Sequence, residues 1–299
     1  MRILFLGNHT LGVKTLATLS GRATVAGVVA HPPDAEDGVR YESVYQFASR
    51  RGWPVIRGRG KDEAVAQFIN MAKPDFLWIT DYRFLIPSSV IALAAKGAVN
   101  LHPSLLPRYR GRAPINWAIL NGERELGLTA HFVDEGMDTG PIIAQYRFAL
   151  SEDQDAGDAL EILYPLYQRI TREVLGHLHS ASVPSRLQDH RLASVFPARK
   201  PGDGLIDWKQ PAKKIRDLIR AVAHPYPGAF TFWGTRKVIL WKACLEREDA
   251  KAPPGQVLSV GLDSQFCVAC SEGAIRVLKH TQMGADGKVW APQSGDLLG

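Results

Sequence analysis

Through the first two hundred residues the hydrophobic and polar positions switch repeatedly between a strand period and a helix period. RILFLG (2–7) is a short apolar run ending in glycine, and VKTLATL after it has the spacing of an amphipathic helix. TVAGVVAH (24–31) is β-branched and strand-like, SVYQFASRRG reads as a helix, PVIRG as a short strand and DEAVAQFINMA as a helix. DFLWIT is a buried strand, SSVIALAAKG a helix with a serine start and a glycine stop, and AVNLH a strand. Strands alternating with helices predict crossover units, hence a mostly parallel sheet with helices on both faces.

From 113 to 150 the pattern supplies a helix (APINWAILNG), a strand (GLTAHFVD), a loop (EGMDTGP) and a second strand (IIAQYRFAL). Across 156–178 the apolar positions Leu160, Leu163, Tyr167, Ile170, Val174 and Leu178 form one stripe of a long helix. Pro165 lies inside it and predicts a kink or a break. PSRLQDHRLASVFPARKPGDG is polar, basic and rich in proline and glycine, the composition of a linker. A helix (PAKKIRDLIRAVA), the turn HPYPGA and short strands with turn signals follow, the pattern of a small β-rich barrel. The expected organisation is a Rossmann-like domain over residues 1–184, a linker over 185–205 and an OB-like β-barrel domain over 206–299, in keeping with a length of 299 residues.

Composition narrows the class only a little. Hydrophobic content of 45%, charged content of 22% and a mean hydropathy of −0.11 describe an ordinary soluble globular chain. A formal net charge of +6 suits acidic partners such as phosphates or nucleic acid, and many soluble enzymes share it. The N-terminal MRILFLGNHT is too short in its apolar run for a signal peptide, and no uncharged apolar run approaches a membrane span, so a cytoplasmic location is expected. The three cysteines fit a reducing compartment. Cys267 and Cys270 form a single C-V-A-C in a strand-like run with no second pair, so no metal site is read.

Candidate chemistry gathers at three places. GNHTLG (7–12) lies at a strand-to-helix junction where backbone amides can meet an anion, although it is neither G-x-G-x-x-G nor a Walker loop. Gly7 in a strained turn is the plainer reading, and His9 either lines a ligand crevice at the sheet's carboxyl edge or stands in solvent. Asn100 and His102 alternate with Val99 and Leu101, so strand geometry points both to one face. An amide donor beside a titratable imidazole suits acyl transfer to an amine: the amide hydrogen-bonds a developing oxyanion while the imidazole takes or returns the proton. Asp138 belongs to a loop with three acids, Asp134, Glu135 and Asp138, around two glycines. A carboxylate beside His102 would fix its tautomer, whereas the plain alternative is a turn whose acids cap backbone amides.

The string NLHPSLLPRYRGRAPINWAILNGERELGLTAHFVDEGMDTGPIIAQ resembles the core of the 10-formyltetrahydrofolate-dependent formyltransferases. That family's pattern of Asn-x-His, Ser-Leu-Leu-Pro, Tyr/Trp-Arg-Gly and a loop aspartate falls here on Asn100, His102, Ser104–Pro107, Tyr109–Gly111 and Asp138. IDWKQPAKKIRDLIRAVAHPYPGAFTFWG is similar to the family's linker-to-barrel region, so the resemblance spans nearly the whole chain. It implies that the substrate amine attacks the formyl carbon, Asn100 stabilises the oxyanion, His102 handles the proton and Asp138 tunes His102. It implies 10-formyltetrahydrofolate as the formyl donor, held by Phe84, Leu85, Ile86, Arg112 and the loop Asp134, Glu135, Gly136, Met137 and Asp138. Phe84–Ile86 also reads as a simple helix entry.

Within the family, GRAPINWAILNG and RAVAHPYPGAF resemble the enzymes that formylate amino-sugar nucleotides, especially the domain acting on UDP-4-amino-4-deoxyarabinose in lipopolysaccharide biosynthesis. The expected acceptor is therefore a nucleotide-linked amino sugar, with His9, Arg108 and Arg110 as candidate contacts. The resemblance leaves a homodimer open. The alternative is a methionyl-tRNA formyltransferase, for which RGRGKDE (57–63) is the one short basic cluster nearby. A hydrolase releasing formate from the same cofactor is a third reading.

Overall fold

A computed structural model describes residues 1–32, 41–180, 182–246, 252–261, 263–283 and 292–299. The strands of the first domain are β1 (Arg2–Gly7), β2 (Thr24–Ala30), β3 (Val55–Arg57), β4 (Phe76–Thr80), β5 (Ala98–His102), the short β6 (Arg110–Gly111), β7 (Glu125–Phe132) and β8 (Ile142–Ala149). Its helices are α1 (His9–Ser20), α2 (Val44–Arg50), α3 (Glu63–Ala72), α4 (Ser88–Ile91), α5 (Pro114–Leu120) and α6 (Ala156–Leu178). Seven strands form one sheet in the order β3-β2-β1-β4-β5-β7-β8. The ladders from β3 to β5 are parallel, and β7 and β8 add antiparallel.

The parallel strands are short runs of apolar residues because both of their faces are covered. Phe5, Leu16, Trp78 and Leu101 lie with α1, α2 and α6 in the larger core. Leu4, Leu77 and Ala98 face the other way, against α3 and α4. Burying a side chain such as Phe5 or Leu16 contributes roughly 1.5–3 kcal/mol. On the α3 side the apolar contacts stop at Ala98 and Val133. Beyond them the same sheet face turns polar at Asn100, His102 and His131, and that change creates the site.

Three local expectations meet corrections. Helix α6 runs unbroken from Ala156 to Leu178 across Pro165. Pro165 is exposed, so water can satisfy the carbonyl that loses its partner. The helix expected across SSVIALAAKG is four residues of α4 followed by turns. Gly7 does not take a positive φ; its role is close approach, since a Cβ there would lie 2.5 Å from the Thr80 carbonyl oxygen. The strained residue of that junction is His9, at φ 61°.

Residues 185–205 are more than a tether. Arg186 bridges to Ile142, and β9 (Val195–Phe196) pairs in parallel with β6. The second domain consists of α7 (Ala212–Ala221) and an antiparallel sheet of β10 (Ala229–Trp233), β11 (Arg236–Glu246), β12 (Val257–Val260), β13 (Phe266–Ala269) and β14 (Ala274–Met283), in the order β10-β11-β14-β13-β12. Asp217 of α7, 1% exposed, takes Lys213 at 2.8 Å and Arg216 and Arg220 at 3.0 Å each. Arg220 continues to the carbonyls of Ser151 and Gln154, and Asn116 Nδ2 of α5 donates to the Ala221 carbonyl at 2.6 Å. This charged seam joins the two domains.

Candidate active site

Side chains of β5 alternate, so Asn100 and His102 share the polar face, and register places His131 of β7 opposite Asn100 and Thr129 opposite His102. The loop between β7 and β8 returns Asp138 to Asn100, His102 and His131. Asp138 sits at φ 54°, in the left-handed region, with its carboxylate turned inward. Its Oδ2 accepts the Gly111 amide at 2.9 Å and lies 3.7 Å from His102 Nδ1. Its Oδ1 accepts from Asn100 Nδ2 at 3.2 Å. Burial works to raise this carboxyl, but His102, His131 and the Gly111 amide together outweigh it and hold Asp138 well below the ordinary carboxylate range.

The proton positions follow from backbone carbonyls, which only accept. His102 Nε2 lies 2.8 Å from the Tyr109 carbonyl oxygen, so Nε2 carries a proton and Nδ1 keeps its lone pair. At 3.7 Å Asp138 is too far for a hydrogen bond but close enough to stabilise a charge formed on Nδ1. The tautomer is thus set by Tyr109, and Asp138 supplies the field. His131 Nδ1 similarly donates to the Phe132 carbonyl at 2.7 Å, leaving Nε2 to accept from Asn100 Nδ2 at 3.2 Å. Both amide hydrogens of Asn100 are engaged, each at the long end of hydrogen-bond distance. Donating to a substrate oxygen requires one of them to turn outward.

One hydrogen bond ties together two of the segments expected to hold the cofactor. Arg112 Nη1 donates to the Arg83 carbonyl at 3.1 Å and so links the 81–86 segment to the turn carrying Gly111. Leu85 and Met137 are exposed, Ile86 is buried, and Phe84 packs edge-on against His31 at 5.4 Å. Asp134 folds its own loop by accepting from the Gly136 amide and Thr139, while Glu135 and Gly136 face solvent.

The contacts expected to hold an acceptor lie in different surroundings. His9 Nδ1 donates to Asp81 at 2.5 Å, and Arg83 approaches its Nε2 at 3.3 Å. Tyr41 lies on the His9 ring with centroids 3.8 Å apart. This cluster caps β1 and β4, the point where strand order reverses and open α/β sheets take ligands. Beside it, burial, with Arg83 and His9 adding, lowers His31 to about 4. Arg108 pairs with Glu123 and lies over the Tyr109 ring, outside the Asn100–His102–Asp138 contacts. Arg110 is 5% exposed and turned into the 185–205 segment, against Gln188 and His190.

Two residues here escaped the reading of the sequence. His131 carried a usable signal, because Thr129 and His131 alternate with the apolar Leu128, Ala130 and Phe132 and so face one way. Gln188 carried none, since it stands in a stretch whose composition reads as linker.

An imidazole with one free nitrogen, a carboxylate to support its charge and an adjacent amide donor make a site for direct acyl transfer with acid–base assistance. All three cysteines lie beyond residue 240, outside this domain. The chain belongs to the formyl transferase family: the pattern described as formyl transferase matches residues 1–164, and that of the formyl transferase C-terminal domain matches residues 199–290. Among solved structures it is similar to WlaRD, a sugar 3N-formyl transferase determined with dTDP and 5-N-formyl-THF, at 20% identity and a TM-score of 0.69, covering 97% of this chain and 99% of that one. The N-formyltransferase from Helicobacter canadensis, in complex with folinic acid and dTDP-3-aminofucose, matches at 19% identity and a TM-score of 0.69, over 93% of this chain and 99% of its own. The methionyl-tRNA formyltransferase from Clostridium thermocellum matches at 20% identity and a TM-score of 0.58, over 82% of this chain and 94% of its own. At these identities the likenesses establish a shared fold.

Proposed function

We propose that this protein moves a formyl group from 10-formyltetrahydrofolate to the amino group of a nucleotide-linked sugar. The observation that carries the reading is His102: Nε2 is tied to the Tyr109 carbonyl and Nδ1 faces Asp138 with a free lone pair. The amine nitrogen bonds to the formyl carbon as the carbon–nitrogen bond to the folate breaks. His102 Nδ1 takes the amine proton and passes it to the departing folate nitrogen. Asn100 meets the negative charge that develops on the formyl oxygen. The segments 84–86 and 134–138, joined through Arg112 and Gly111 to Asp138, are the frame that would hold the pterin. The cluster of His9, Asp81 and Arg83 is the polar edge beside it for the acceptor. Arg110, being buried, is set aside as an acceptor contact.

The sugar acceptor is favoured over tRNA by two structures of sugar enzymes that match along nearly all of both chains. A cytoplasmic location, a role in lipopolysaccharide biosynthesis and an OB-like second domain over 206–299 belong to the same reading. Incubation with 10-formyltetrahydrofolate and a panel of 3-amino and 4-amino sugar nucleotides tests it, with formamide products expected. Turnover of charged initiator tRNA alone would replace the sugar reading with the tRNA one.

A further inference from the structure

We infer that Gln188 is a positioning residue for Asp138, which makes the segment joining the two domains part of the site. Gln188 is 5% exposed and all four of its side-chain hydrogen bonds reach the first domain. Its Nε2 donates to the Asp138 carbonyl at 2.8 Å and to the Gly140 carbonyl at 2.7 Å. Its Oε1 accepts from Arg110 Nη2 at 2.7 Å and Nε at 3.2 Å. One amide thus fastens the backbone on either side of Thr139 to the residue just before Gly111, whose N–H holds the Asp138 carboxylate.

The arrangement closes a ring: Asp138 carboxylate, Gly111, Arg110, Gln188, Asp138 carbonyl. Asp138 occupies a left-handed backbone conformation that is uncommon for a residue with a side chain, so its surroundings must hold it there. Gln188 and the Gly111 amide grip it from its two ends. The grip is braced from outside by the same joining segment. Arg110 N donates to the Ser194 carbonyl at 2.8 Å, Arg112 N to the Phe196 carbonyl at 3.0 Å, and Tyr109 N to Ser194 Oγ at 2.9 Å. Tyr109, whose carbonyl sets the His102 tautomer, stacks on Phe196 with ring centroids 5.0 Å apart. Both groups that define the state of His102, Asp138 and the Tyr109 carbonyl, therefore rest on residues 188–196.

This inference rests on the formyl-transfer reading for its kinetic arm only. Gln188→Met keeps the volume and removes all four bonds; Gln188→Glu keeps Arg110 as partner but cannot donate to the two carbonyls. In either variant kcat should fall about 10- to 100-fold, the order expected for misplacement by a fraction of an ångström to one ångström. KM for the sugar nucleotide should stay within about twofold. A second readout needs no substrate: a ¹³C-detected titration of the Asp138 carboxyl should move up toward ordinary carboxylate values when its ring of donors loosens. Gln188→Glu carries the test if Gln188→Met does not fold. An unchanged kcat, or an Asp138 titration identical to that of the unsubstituted protein, overturns the inference. A protein that formylates no amine overturns the function proposed above, while the carboxyl titration still decides the role of Gln188.

Discussion

Replacing Asp138 with asparagine removes one charge and keeps the shape of the side chain. The oxygen that remains can still accept the Gly111 amide, whose 2.9 Å bond holds the turn. What is lost is the field at His102 Nδ1, 3.7 Å away, together with the oxygen that accepts from Asn100 Nδ2 at 3.2 Å. At an effective dielectric of about 20, two unit charges at that separation attract by about 4 kcal/mol. Both side chains are mostly buried, 7% and 14% exposed, so screening by solvent is limited. That attraction exists only after Nδ1 has taken the amine proton, so it belongs to the transition state and its loss appears in kcat. Each 1.36 kcal/mol is tenfold in rate, so a fall of about 10²–10³ is expected, with KM for both substrates little changed. Steady-state kinetics of Asp138→Asn against the unsubstituted enzyme measure this directly. A variant within threefold of normal turnover would refute the assignment of Asp138 as the support for charge on His102. The same carboxylate contributes to acid stability. Its folded value lies below the unfolded value near 3.9, so its contribution is present above about pH 4 and disappears as pH falls through the folded value.

Other expectations follow from the same geometry. Asn100→Ala and His102→Ala should each lower turnover by about 10²-fold or more with the fold intact by circular dichroism, and near-normal activity in either removes that residue from the mechanism. His31 is held neutral to about pH 4 by burial, so the unfolded chain takes up a proton between about pH 6.5 and 4 that the folded one does not. Stability should therefore drop by about 3 kcal/mol as pH falls through that window, and His31→Asn should flatten this part of a melting-temperature profile. Asp217→Ala leaves Arg216 and Arg220 buried without their shared carboxylate and should cost about 3–5 kcal/mol, a fall of roughly 10 °C in thermal midpoint. Gly111→Ala places a Cβ 2.4 Å from the Phe196 carbonyl oxygen at φ 94°, so it should separate β6 from β9 and lower activity more than stability of the second domain; unaltered kinetics would contradict the close approach.

The layered first domain was legible because each parallel strand is a short apolar run bounded by a glycine or a polar edge residue. Alternation within AVNLH was enough to pair Asn100 with His102. Asp138, 36 residues beyond His102, needed the family pattern, since an acid in a glycine loop is ordinarily only a cap. His131 needed the register of β7 against β5, a tertiary fact that its own strand pattern hints at but does not state. Arg110 was named as a candidate substrate contact, and its enclosure at 5% exposed, against Gln188, is a tertiary fact that the sequence does not state. Pro165 was read as a kink or a break, and the break does not occur, because periodicity does not report that its exposed side leaves the orphaned carbonyl open to water.

Among the described residues no helix is long and apolar enough to cross a membrane, and no cluster of three or more His, Cys, Asp or Glu side chains is arranged to hold a metal ion. The chemistry derived above asks for neither. It asks for one nitrogen, His102 Nδ1, to accept a proton next to a carboxylate while Asn100 turns a hydrogen toward the formyl oxygen. A single-turnover experiment with ¹³C-formyl-labelled 10-formyltetrahydrofolate and an amino-sugar nucleotide tests that claim most directly. The label should appear in a sugar formamide in step with loss of the labelled folate, and His102→Ala should abolish both together. Label released as free formate, at a rate that His102→Ala leaves unchanged, would contradict it.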